Sequence, residues 1–236
     1  MEGSMTESPL APPPAAEPLP WEDPHRQGFA ALLHTVQLVL LRPREAFRRM
    51  NRGTPASRAL LFALVVAWPS MTLGALLALL LDMGELAAFV TSFKQSFGRH
   101  FPEPLSLGVP MLLIFSGLAV LLPPIFLVIF LAVHSLVLHL FLLLFAGRTK
   151  SLGTTFRVLA YSQATAIFYL MPVAGSLLAF LWQLLVTIPG LAAAHGTSET
   201  RAAWAVLTPL LLACACLTLL FAFITGSAVV KALGSL

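Results

Sequence analysis

Residues 59–81 read ALLFALVVAWPSMTLGALLALLL, 23 positions without a formal charge. At a helical rise of about 1.5 Å per residue this stretch reaches about 34 Å, more than the hydrocarbon thickness of a bilayer, so it crosses with some tilt. Ser70, Gly74 and Ala78 recur every four residues along it and leave one face narrow enough for another helix to approach closely. The rest of the chain is read in the solvent this segment implies.

Of the 236 residues, 58% are hydrophobic and only 10% are charged, too few charges to cover a surface facing water. The net charge is +4, and seven of the fourteen Lys and Arg residues precede Ala59, beside the first span. That placement points to anionic lipid headgroups as the partner, and not to nucleic acid. Cys214 and Cys216 stand two apart on one apolar helix, where their side chains diverge, which excludes a disulfide framework. Residues 1–26 are rich in Pro and Ala, with neither a basic head nor an apolar run, and are expected to form a disordered leader.

Residues 27–58 read as a basic, amphipathic interfacial segment. From Gln27 to Leu41, Phe29, Leu32, Leu33, Val36 and Leu40 fall at helical spacing with His34 and Gln37 off the stripe, which predicts a helix lying on the membrane. Pro43 suits the first position of a second, short helix, where its missing N–H costs nothing. Ala46, Phe47 and Met50 share one side of that helix. Around it Arg42, Arg44, Arg48, Arg49 and Arg52, with Phe47 as the apolar edge, are the candidate contacts to lipid or a partner; each guanidinium near the phosphates contributes about 1 kcal/mol.

Beyond the first span, Glu85 to His100 carries Leu86, Phe89, Val90, Phe93 and Phe97 on one stripe and reads as a surface helix on the opposite side. Residues 107–146 hold no Asp, Glu, Lys or Arg and would run to about 60 Å as one helix, with Pro123-Pro124 near the middle. They make either one crossing with an extension or a hairpin of two. One crossing places eleven basic residues on the N-terminal side against three, whereas two crossings leave eight against six. The positive-inside bias favours one, with Leu107–Leu122 as a half-inserted lead-in and Pro124–Ala146 as the second span. Three more spans follow at 155–170, 175–194 and 203–224, so residues 59–236 are expected to form a five-helix bundle. The fold class is an all-α membrane protein with N-terminal amphipathic interfacial helices and a cytoplasmic N-terminus.

Arg157-Val158-Leu159-Ala160-Tyr161-Ser162, then Met171-Pro172-Val173-Ala174-Gly175, Trp182, Gly190-Leu191, His195, Arg201-Ala202 and Pro209 together resemble the Yip-one domain family. The likeness extends forward through Leu41-Arg42-Pro43, Phe47, Met50 and His139. The resemblance implies a small five-span membrane protein. It implies, for eukaryotic members, endoplasmic reticulum and Golgi trafficking through prenylated small GTPases; eleven Arg against three Lys resembles a bacterial member of the inner membrane instead.

The polar residues of the bundle interior are His134, His139, Tyr161, Gln163, Gln183 and Thr187. His134 and His139 lie about 140° apart around a helix and cannot chelate one ion from one face, so no metal or cofactor is expected. Tyr161, Gln163, Gln183 and Thr187 either bind helices together or line a crevice with His134 for a neutral solute. Arg157, His195 and Arg201 read as anchors at cytoplasmic helix ends. No hydrolase, phosphate-loop or zinc-protease motif occurs, and no carboxylate falls in a span, which argues against an enzyme. The expected role is a membrane scaffold or partner-recruiting protein that inserts Phe29, Leu33, Val36, Phe47 and Met50 shallowly, with a small transporter or channel as the alternative.

Overall fold

Apolar runs this long satisfy their backbone polar groups internally, and those among the described residues do so as helices. The computed structural model describes residues 17–26, 28–51, 53–81, 92, 95, 109–147 and 149–233. In chain order these give α1 (Phe29–Leu41), α2 (Pro43–Arg49), α3 (Ala56–Leu81), α4 (Val109–Ala146), α5 (Leu152–Ser162), a 3-10 helix (Gln163–Leu170), α6 (Gly175–His195) and α7 (Glu199–Leu233). No strand occurs among the described residues. Among the described residues, four helices are long and apolar enough to cross a membrane, over 56–77, 120–146, 175–195 and 199–225. The fifth passage is the composite of α5 and the 3-10 helix. Its eleven α-helical residues rise about 1.5 Å each and its eight 3-10 residues about 2 Å each, so the tighter helix stretches a short segment to about 32 Å. The chain is a multi-pass membrane protein with the expected five-helix bundle.

Within the expected 107–146 stretch, Val109–Ala146 forms one helix. α4 runs unbroken through Pro123 and Pro124, so the expected lead-in and second span are one element without a hairpin turn. Pro124 has no N–H to give the Val120 carbonyl four residues back, and the Trp68 indole of α3 donates to that carbonyl at 2.8 Å instead. α7 likewise extends past the expected 203–224 at both ends. Residues 211–225 are all exposed, Cys214 and Cys216 among them, and face lipid in this bundle. The surface helix expected over Glu85–His100 lies outside the described residues apart from Ser92 and Gln95.

α5 occupies the middle of the bundle, packed on α3, α4 and α6, and eight of its residues are buried: Thr154, Thr155 and Arg157 through Ser162. The 3-10 helix continues it between α3 and α6. The small face of α3 serves this contact. A Cβ on Gly74 would come within 3.0 Å of the Tyr169 carbonyl carbon and closer still to its oxygen, and one on Gly175 would overlap the Phe168 carbonyl. Met171 to Ala174 make the reversal into α6, with Val173 fully exposed at φ 69°.

Two expectations about the N-terminal part are corrected. The leader was expected to be disordered as far as residue 26, yet Leu19 is fully buried, Glu22 is buried, and the Trp21 ring meets Phe62 edge-on at 6.0 Å. Residues 17–26 form a strap on the bundle, because Leu19 and Trp21 supply the apolar surface that the Pro-rich composition hides. In α1 the buried residues are Ala31, Leu32, Thr35, Val36 and Val39, while Phe29 and Leu41 are more than 70% exposed and Leu33 is also exposed. One stripe therefore divides into a protein-facing side and an outward ridge.

Gly74→Val is expected to destabilise the bundle by about 1–3 kcal/mol, since the opposing atoms are backbone and cannot rotate away. Gly117→Ala, where an added Cβ meets nothing within 4 Å, should leave the melting temperature in detergent unchanged or slightly raised.

Candidate lipid- and partner-facing site

α2 is a short helix with its charges ordered along the dipole: Pro43 opens it, Glu45 sits in the first turn, and Arg48 and Arg49 close it. Seven residues do not hold a helix by themselves, and packing supplies the difference. Phe47, 2% exposed, fills the notch at Gly190 of α6, where a Cβ would stand 2.6 Å from the Phe47 ring. Ala46 and Met50 are buried beside it. Phe47, Met50 and Val36 are thus taken up by the protein and do not reach lipid. The outward apolar ridge is Phe29, Leu33 and Leu41.

Burying the Phe47 side turns the arginines outward. Arg44 grips Glu199 at the start of α7 with Nε and Nη2, the second contact at 2.6 Å, in a two-pronged pair that ties α2 to α7. Pairing with that carboxylate raises the already high pKa of Arg44. Arg49 pairs with Glu45 and approaches Glu17 of the strap at 3.9 Å, and Arg42 lies 3.6 Å from Glu45. Arg48 is exposed and shares a groove with Arg44, Gly196 and Thr197. Arg52 lies outside the described residues.

A second groove, of about 510 Å³, is lined on one wall by Arg42, by Arg44 and Glu45 of α2 and by Glu199 of α7, and on the other by Leu184, Leu185 and Ile188 of α6. The Trp182 indole closes the join by donating to the Leu40 carbonyl at 3.1 Å, one of the acceptors left open where α1 ends.

Behind this face a polar network locks the strap. Glu22 accepts from the Asn51 N–H at 2.6 Å and from the Tyr161 hydroxyl at 2.9 Å. Arg157, buried on α5, donates to the carbonyls of Asn51 and Thr54 at 2.8 and 2.9 Å and to that of Gly153 at 3.3 Å. Arg157 is an internal clasp on the 51–54 loop and does not project to headgroups. Trp21 adds its N–H to Thr35 and its indole to the Arg58 carbonyl. Burial raises the Glu22 pKa above the usual carboxylate range, outweighing the Asn51 and Tyr161 hydrogen bonds and the Arg157 and Arg58 charges that pull it down.

His139 and His195 meet through Thr155. The Lys150 backbone N–H donates to His195 Nδ1 at 3.1 Å, so the neutral ring carries its proton on Nε2 and gives it to Thr155 Oγ1 at 3.1 Å. The Thr155 hydroxyl then donates to His139 Nδ1 at 2.9 Å. His134 is elsewhere, with Gln183 and Thr187 on a cavity of about 320 Å³ between α4, α6 and α7. Tyr161 is taken by Glu22, and Gln163 lines a separate groove with Phe126 and Tyr169. The polar set expected to share one crevice is divided among three places. Arg201 is exposed on the first turn of α7, where its N–H meets the Ser198 hydroxyl at 3.4 Å.

Glu22, Asn51 and Glu199 were not anticipated as site residues. Trp21 in a Pro-rich leader was the one local sign that the strap is anchored; Glu199 carried none, since its partner is 155 residues away.

The family model described as Yip1 domain matches residues 38–221. No curated protein and no solved structure matches the chain. The matched region begins within α1, so the strap and its Glu22 are contributed by sequence that precedes it.

Phe47→Ala should release α2 at a cost of about 3 kcal/mol, read as faster trypsin cleavage after Arg48 and Arg49. For Glu22 the folded pKa is raised, so its contribution to docking is fully present below the ordinary carboxylate value of 4.5 and is lost as pH rises through the folded value. Hydrogen exchange at residues 19–23, corrected for intrinsic rate, should slow as pH falls from 7 toward 5, and Glu22→Gln should remove that dependence.

Proposed function

The chain belongs to the Yip1 domain family, and from that premise we propose that it acts without chemistry of its own, as a bilayer scaffold that gathers anionic lipid and recruits a partner. The observation that carries this reading is the groove between α2 and α6, charged on one wall and apolar on the other. A phospholipid suits it with its phosphate at the exposed Arg42 and an acyl chain along Leu184, Leu185 and Ile188, while Arg44 stays on Glu199. The outward ridge of Phe29, Leu33 and Leu41 enters the headgroup layer beside it, which favours binding at about 25 cal/mol per Å² of apolar area buried. Arg48 faces outward and suits a carboxylate-bearing partner.

The basic residues support a cytoplasmic N-terminus in a bacterial inner membrane. In the five-span order, eleven of the fourteen Lys and Arg gather on the side of the strap and α2. Transport of a neutral solute receives less support, because Tyr161, Gln163 and His134 do not line a common path.

The test pairs cross-linking in native membranes with lipid analysis of the purified protein. Arg42→Glu with Arg48→Glu leaves the Arg44–Glu199 tie intact. The variant should fold, lose most co-purifying anionic phospholipid and lose cross-links from α1 and α2 to any specific partner. Unchanged lipid and cross-links in the folded variant would remove the proposal.

A further inference from the structure

The cavity between α4, α6 and α7 holds two polar atoms that the bundle does not use. Thr187 Oγ1 and His134 Nδ1 are buried without a hydrogen-bond partner, and Thr187 is only 2% exposed. A helical threonine ordinarily returns its hydroxyl to a carbonyl of the preceding turn, as Ser70 does with Val66 at 2.8 Å, but Thr187 does not. Gln183, one turn earlier on α6, also lines the cavity, and its side-chain amide meets the Thr165 hydroxyl. His134 falls near the middle of the 120–146 span, and Gln183 and Thr187 near the middle of 175–195. At that depth bulk water does not compensate an unpaired group.

Space and access point the same way. The cavity holds about 320 Å³, at the lower end of the range for small-molecule sites, and its remaining lining is apolar. Phe130 and Phe180 line it and are each about half exposed, so its mouth opens sideways into the bilayer and not to the aqueous faces. No Asp, Glu, Lys or Arg is among the residues lining it, which leaves a charged head without a counter-ion. We propose that this cavity is a binding site for a neutral single-chain lipid, its hydroxyl- or carbonyl-bearing head hydrogen-bonded to Thr187 and His134 and its chain leaving between Phe130 and Phe180. The site stands on observations separate from the groove beside α2.

The full chain in phosphatidylcholine nanodiscs is exposed to a 1-monoacylglycerol carrying a diazirine near its head, and adducts are mapped by mass spectrometry. Adducts should concentrate on Phe130, Phe180 and Leu210. Excess 1-oleoylglycerol should compete them away, while octadecane, without a head, and oleate, with a charged one, should not. Thr187→Val keeps the shape and removes the hydroxyl; labelling should fall roughly fivefold, the worth of one hydrogen bond. Its melting temperature should hold or rise, because an unpaired buried hydroxyl is lost. Even labelling over the outward face of α7, such as Leu217 and Phe221, without competition would overturn the site. So would undiminished labelling of the Thr187→Val protein.

Discussion

A polar helix sits on the axis of an apolar bundle, and each of its hydrogen-bonding side chains must find a partner inside the protein. α5 and its 3-10 continuation bury Thr155, Arg157, Tyr161 and Thr165 where water is scarce. The partners come from almost every other element: His139 from α4, His195 and Gln183 from α6, the 51–54 carbonyls ahead of α3, and Glu22 from the strap. Apolar packing between helices in lipid discriminates weakly, since lipid tails are as apolar as leucine. The hydrogen bonds along this axis give the bundle one arrangement over others of similar packing.

That constraint also shapes the outward face. Arg157 fixes the loop that leads into α3, the same loop presents the Asn51 N–H to Glu22, and Glu22 holds the strap to that loop and to Tyr161 of α5, while the Trp21 N–H ties it to Thr35 of α1. α2 is then pinned by Phe47 in the Gly190 notch and by Arg44 on Glu199. The arginines face outward because the interior side of α2 is already filled. α2 thus holds its arginines in fixed positions beside the apolar residues of α6.

What the sequence showed depended on how local the signal was. Runs of uncharged residues mark crossings by themselves, so 59–81 and 175–194 fall within a few residues of α3 and α6; 155–170, which contains Arg157, matches α5 with its 3-10 helix on length and apolar content despite that charge. Charge counting favoured one crossing over 107–146, and α4 is a single helix there from Val109; the repair that lets it run through Pro124 is an indole from Trp68, 52 residues from the Val120 carbonyl it meets. Periodicity marks an apolar side on α1 and α2 and is silent on what covers it; on α1 the covered residues include Ala31, Thr35 and Val39, while Phe29 and Leu33 of the stripe stay exposed. Val36, Phe47 and Met50 satisfied the pattern for membrane insertion and were claimed by α6 and the bundle. Glu22 was illegible for the opposite reason: a carboxylate among prolines reads as solvent-exposed, and its burial is met by the Asn51 N–H, 29 positions on, and by Tyr161, 139 positions on.

Hydrogen exchange of the Arg157→Met protein in nanodiscs tests the axis most directly, since methionine preserves much of the length and removes every donor. The amides of 51–58 and of the strap at 19–23 should lose protection together, while those in the membrane-spanning half of α7 keep theirs. Protection that persists in both segments would show that the polar axis does not hold the outward face in place.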